Sequence, residues 1–191
     1  MLREHAITKA KDVLITHIRG FLTNIDNYKN ICDRDYTQCE IYDKEPYALR
    51  SFPVILITAA SGNYINTGIG GDMAGDLLNS NGIGIGVRYA GQMELPITIE
   101  VGTRSTKDRD ILIDLLSAAI KILFKRDLEA NGIVVKDIRY GGESEILYDS
   151  DKLYIATLNI TVWMEWTYDS LYHAPIKQIN LDVGYTNNPF K

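Results

Sequence analysis

The chain has 191 residues, enough for one domain with a real hydrophobic core and short for two. Apolar residues make up 46% and charged residues 24%, an ordinary globular mixture that excludes wholesale disorder or a fibrous repeat. The formal charge of −5, the sequence pI near 5.2 and the scattered cations speak against a protein that grips nucleic acid by neutralising phosphates.

No apolar stretch follows the opening MLREHAITKAKD, and no run approaches the roughly 18 apolar residues of a membrane-spanning helix, so no signal peptide and no membrane partner are expected. Residues 2–24 place Ile7, Ala10, Leu14, Ile18 and Phe21 at spacings of three and four, which predicts an amphipathic helix with His17 at the edge of its apolar face. Residues 25–50 are polar, and Pro46 breaks any helix near their end. They predict a long surface excursion with a short strand at Cys39–Tyr42. Cys32 and Cys39 read as free thiols of a reducing compartment. His5, His17 and His173 are too dispersed to complete a zinc site, and no metal or cofactor is expected.

The run Phe52-Pro-Val-Ile-Leu-Ile-Thr-Ala59 predicts a buried strand. After it comes the glycine-rich connection 61–82. Ile83, Ile85 and Val87 then alternate with polar or small residues, as do Leu95, Ile97, Ile99 and Val101, predicting two antiparallel strands with a hairpin turn at Ala90-Gly-Gln-Met93. A helix is predicted over roughly 106–130, capped by Ser105 or Thr106 and stopped by Asn131-Gly132. Its apolar residues exceed one face and leave surface for the first helix or for a neighbouring subunit. Strands follow at Ile133–Tyr140 and Glu145–Tyr148, then a turn at Asp149-Ser-Asp-Lys152, then a long strand Leu153–Thr167. Residues 168–191 read as an irregular arm. The expected class is α+β: a mainly antiparallel sheet against an N-terminal and a central helix, in one domain over 1–167 with loop excursions.

The stretch Thr67-Gly-Ile-Gly-Gly-Asp-Met-Ala-Gly75 has the glycine density of a phosphate cradle. A Walker loop needs Lys-Ser or Lys-Thr after its last glycine, and here Asp76-Leu-Leu follows. The dinucleotide spacing fails at Met73, and Asp72 and Asp76 would repel a phosphate. Glu143, Glu145, Asp149 and Asp151 cluster in sequence but surround a turn, as a solvated acidic hairpin does. No serine, cysteine or histidine set suggests nucleophilic catalysis, so a non-enzymatic role is expected. The 12 tyrosines include many outside the clear core strands, and tyrosine favours protein interfaces.

The layout resembles phage tail terminator (tail completion) proteins. The likeness rests on the N-terminal amphipathic helix and the strand beginning Phe52-Pro-Val-Ile-Leu-Ile. It continues with "ELPITIEVGTRSTKDRDILIDLLSAAI" leading into a helix, and with "GIVVKDIRYGGESEILYDSDKLYIATLNITVWMEW". It covers roughly residues 5–167 and carries no diagnostic short motif; 25–50 and the C-terminal tail depart from it.

The resemblance implies a virion protein at the tail–neck junction, assembled in the host cytoplasm. Copies would form a ring, usually of six, that stacks on the tail-tube protein and stops its polymerisation. It would offer a surface to a neck or head-completion protein, and to a sheath where the tail has one, with DNA only as passing cargo. Another neck, connector or baseplate ring subunit, or a small-ligand-binding α+β domain, are the alternatives. Three contact regions are expected. Tyr64, Gly68, Gly70, Gly71, Asp72, Met73 and Asp76 would form a pliable loop facing a lumen or a neighbour. Tyr28, Tyr36, Tyr42 and Tyr47 would make ring or neck contacts. Tyr168, Tyr172, Tyr185 and Phe190 would act in a C-terminal arm.

Overall fold

The structure, a computed structural model, describes residues 6–43, 52–65, 73–148 and 151–171. Helix α1 spans Ala6–Leu22. Its three-four spacing buries Ala10, Leu14, Ile18 and Phe21 on one stripe, and the ring of His17 lies 5.6 Å from that of Phe124. A single 3-10 turn, Ile25–Asn27, follows, with the Asn24 side chain accepting the Asp26 amide. Strands β1 (Glu40–Tyr42), β2 (Val54–Ala59), β3 (Asn63–Ile65), β4 (Met73–Leu78) and β5 (Gly84–Thr103) come next. Helix α2 (Thr106–Ala118), a π turn (Ala119–Leu123) and helix α3 (Lys125–Ala130) lead into β6 (Ile133–Tyr148) and β7 (Asp151–Leu171).

The fold is α+β. Seven strands form one sheet in the order β1-β2-β5-β7-β6, with β3 and β4 also pairing on β5 beyond the end of β2. Every pairing is antiparallel except the short parallel contact of β1 with β2. The strands β5 and β7 run together in unbroken register from Thr103↔Tyr154 to Gly86↔Leu171.

Alternation sorts this pair into two faces. Leu95↔Val162, Ile97↔Ile160 and Ile99↔Leu158 are buried partners, flanked by Ile55 and Ile57 of β2 and by Ile133 of β6. The helices cover this face with Leu14, Ile18, Leu112, Leu116, Ile120 and Leu128, all within the same apolar cluster. Burying each such Leu or Ile contributes about 1.5–3 kcal/mol. The opposite face is polar. Thr98 Oγ1 donates to Asn159 Oδ1 (3.2 Å), Trp163 Nε1 donates to Glu94 Oε2 (2.9 Å), and Lys136 Nζ stands 3.5 Å above the Trp163 ring.

Several expected boundaries are corrected, and glycine explains two of them. No turn forms at residues 90–93, and β5 continues straight through. Gly91 is there because a Cβ would meet the Trp166 indole at 2.9 Å, so the residue makes room for a ring across the ladder. Likewise β6 is one strand, not two, carrying bulges between Val135 and Asp137 and between Tyr140 and Gly142. Gly142 has φ 122°, a conformation that other residues rarely adopt. The connection 61–82 contains two strands, β3 and β4. Strand β7 is longer than the expected 153–167 and takes in residues 168–171.

The helix over 106–130 starts where expected, with Ser105 Oγ accepting the Asp108 amide. It does not run through, because the Phe124 amide donates to the Ala119 carbonyl (2.9 Å), an i→i+5 bond. Of the expected turn Asp149-Ser-Asp-Lys152, Asp151 and Lys152 already belong to β7, and residues 149 and 150 lie outside the described residues.

Candidate functional site

Past Met93 and Met164 the sheet outruns its helices. Residues 84–92 of β5 continue for about 30 Å, paired with β7 residues 165–171 on one side and with β4 on the other. Strand β6 ends opposite Met164, so among the described residues the outer edge of β7 has no strand neighbour from Glu165 onward. This three-stranded ribbon is pinned by a forked ion pair on its polar face. Arg88 Nε and Nη2 donate to Asp169 Oδ1 (2.7 Å) and Oδ2 (2.9 Å), two residues directly opposite in register. That hydrogen bonding, with the carboxylate's charge, holds the guanidinium's pKa above its ordinary value.

The ribbon's other face prolongs the core face. The register places Tyr64 beside Met93, and the rings of Tyr64 and Trp166 meet edge to face at 5.3 Å. Further out Met73 faces Tyr89 and Asp76 faces Val87. Here the residues are open to solvent: Tyr64 is 65% and Met73 55% exposed. The Trp166 indole N–H is buried and finds no hydrogen-bond partner among the described residues.

A second apolar exposure lies at the π turn. Helix α2 buries Leu112, Ile113, Leu115 and Leu116, and Ala119 and Ile120 continue inward. The wider turn then re-phases the chain so that Phe124 and Leu128 return to the core. Ile122 and Leu123 are left 69% and 53% exposed. Exposed Lys121, Lys125 and Arg126 surround them. The run Ile120-Lys-Ile-Leu-Phe124 contained the signal, since four apolar residues in five cannot share one helix face.

The expected contact residues divide sharply. Tyr64, Met73 and Asp76 come together on the ribbon, but Met73 and Asp76 belong to β4 and not to a pliable loop. Gly68, Gly70, Gly71 and Asp72 lie outside the described residues. Tyr28 and Tyr36 are corrected: both are buried in the chain's own core, so neither offers a surface to a ring or neck partner. The Tyr28 hydroxyl donates to the Leu22 carbonyl (3.2 Å) and accepts the Tyr36 amide (2.9 Å), and Tyr36 donates to the Asp108 carbonyl (3.4 Å). Arg34, 3.0 Å from Asp108, fastens the same segment to the start of α2. A polar segment therefore folds inward around two amphipathic rings whose hydroxyls are satisfied by backbone.

Tyr42 is half-buried and hydrogen-bonded to the Glu40 carboxylate. Tyr168 sits in β7 opposite Tyr89, within a regular strand and not an arm. Tyr47, Tyr172, Tyr185 and Phe190 lie outside the described residues. Cys32 and Cys39 are free thiols, and burial pushes the Cys39 pKa up to about 12.

The acidic hairpin is partly engaged. Arg109 is almost fully buried, and its guanidinium reaches Asp110 (2.7 Å) and Glu143 (2.6 Å), joining α2 to the bulged part of β6. Tyr140 adds a hydrogen bond to Asp114 across the same seam, and this bond raises the phenol's pKa. Glu145 is exposed and accepts from Lys152 (2.7 Å).

Among the described residues no group of three or more His, Cys, Asp or Glu is placed to hold a metal ion, and no helix is long and apolar enough to cross a membrane. No family model matches the chain, and no curated protein matches it.

Proposed function

We propose that this chain is a structural ring subunit that caps a phage tail tube, ends its polymerisation and offers an attachment surface to the head or neck. One observation carries the reading. Two long strands continue well past the helix layer into a ribbon whose aromatic and thioether side chains remain exposed. Contiguous apolar exposure of this kind marks a protein-contact surface. Among the described residues the ribbon also has a strand edge without a strand neighbour, a template for pairing with another chain, that carries neither lysine nor proline over 165–171. The resemblance of layout adds the particular assembly, and an acidic wall suits a channel through which DNA slides without being held.

The test uses the full chain. Light scattering after size exclusion and negative-stain imaging should show a closed ring with a central pore, which co-sediments with tail-tube rings and shortens tube growth when added. A chain that remains a compact monomer and leaves tube length unchanged overturns the proposal.

A further inference from the structure

Resting on that reading, we infer that the ribbon face which no described helix covers seats, in one copy, the π turn and adjoining helix surface of the next copy. The contact is heterologous, joining two different patches of the same chain.

Three observations converge on this occupant. The first is geometry. The ribbon face that carries Tyr64, Met73 and Trp166 is the face which the helices cover elsewhere on the sheet. Its overhang of about 30 Å is wide enough for the end of a second helix layer, each helix measuring about 10–12 Å across. A neighbour's helices would then extend over the ribbon the packing that the chain's own helices give to its core half.

The second is chemistry. Ile122 and Leu123 are aliphatic and protrude from a helical layer, and Leu123 lines a shallow groove with the half-buried His17 and the exposed Gly20. Aliphatic knobs fit a surface of Tyr64, Met73 and Trp166, whose aromatic and thioether groups adapt to such shapes.

The third is charge. The chain is acidic overall, yet Lys121, Lys125 and Arg126 around the π turn outnumber Asp127 and Glu129. On the ribbon face that would seat it, the one charged residue that the register places among the described residues is Asp76, because Arg88 and Asp169 pair with each other on the opposite face. Two ribbons meeting face to face would set like charges together, whereas ribbon against π turn sets unlike charges together. Repeated unlike-patch contacts close into rings when the rotation between copies allows it.

The test co-expresses two variants of the full chain, Met73→Cys and Leu123→Cys, with the wild-type chain as control for Cys32 and Cys39. Mild oxidation should give disulfide-linked pairs in the mixed assembly that neither variant gives alone. Separately, Leu123→Glu and Met73→Glu should each weaken self-association roughly tenfold or more, with urea midpoints close to wild type because both positions are exposed. Cross-linking of Met73→Cys with itself overturns the inference in favour of a two-fold contact. Rings of unchanged affinity in both glutamate variants overturn this interface while the ring reading stands. A chain that is monomeric at every concentration overturns both.

Discussion

The two halves of the β5–β7 pair obey the same hydrogen-bonding rules and meet different fates. Between Met93 and Val101 the inward side chains lie under α1, α2 and α3 and are sealed from water. Between Gly84 and Gln92 the same alternation continues, but the residues it presents are Val87, Tyr89 and Gly91, with Tyr64 and Met73 alongside, and no described helix seals them. One half stabilises the molecule and the other is available to a partner. Backbone pairing alone does not decide which half does which; the extent of the helix layer does.

The largest effect should separate the halves directly. Ile97→Ala or Leu158→Ala, in the covered half, should lower unfolding free energy by about 2–5 kcal/mol in urea titrations. Met73→Ala in the monomer should stay within about 0.5 kcal/mol. Similar losses at both sites would break the comparison.

Gly91→Ala tests whether the ribbon is packed at all, since the added Cβ meets the Trp166 ring at 2.9 Å. A loss of about 1–3 kcal/mol is expected, with a changed tryptophan emission and faster amide exchange confined to 84–92 and 165–171. Neutral behaviour would mean that the indole has room to move aside.

Alkali should act on the covered half alone. Burial raises the Cys39 pKa from 9.0 to about 12 and also raises those of Tyr28 and Tyr36 above the ordinary phenol. The folded state therefore retains protons that the unfolded chain gives up. This contribution is intact below pH 9 and is lost as pH rises toward 12. Urea midpoints should fall across that window, and Cys39→Ala should make the fall shallower. Ribbon exchange rates, corrected for base catalysis, should change only when global unfolding begins.

The smallest effect is expected at the ribbon's ion pair. Arg88→Met should leave the urea midpoint close to that of wild type, because the guanidinium is 42% exposed and its pairing is screened by water. Its signature is fraying at the ribbon's outer end, read by exchange at Val87 and Ser170. A cost spread through the core would show that the ribbon and the covered half unfold as one unit.

The parts legible in the sequence were those set by periodicity. α1, the inward residues of β2, β5 and β7, the Ser105 cap and the α+β class all follow from spacing and local chemistry. Legibility failed where a residue's role depends on something distant along the chain. Gly91 read as a turn residue, and only the Trp166 ring across the ladder reveals it as a strand residue. Tyr28 and Tyr36 read as surface residues because their neighbours are charged, but the Leu22 and Asp108 carbonyls that satisfy their hydroxyls come from other elements. Of the expected contact set, Tyr64, Met73 and Asp76 do share a face. What brings them together is β-pairing to β5, invisible in a segment that looked like a glycine-rich loop. Ile122 and Leu123 were visible only as surplus apolar residues.

The π turn has a consequence for how this chain tolerates changes in length. Each residue of an α-helix advances the chain by about 100°, so the wider turn at Ala119–Leu123 works as an angular spacer between α2 and α3. Deleting one residue there would restore an unbroken α-helix, and because the wide turn holds one residue more than an α turn, everything after it would keep its phase. Leu128 would stay in the core, while the outward bulge that carries Ile122 and Leu123 would be lost. A single deletion at these five positions should therefore be absorbed far more readily than a single insertion, and it should remove the exposed apolar knob and leave the core packing in place.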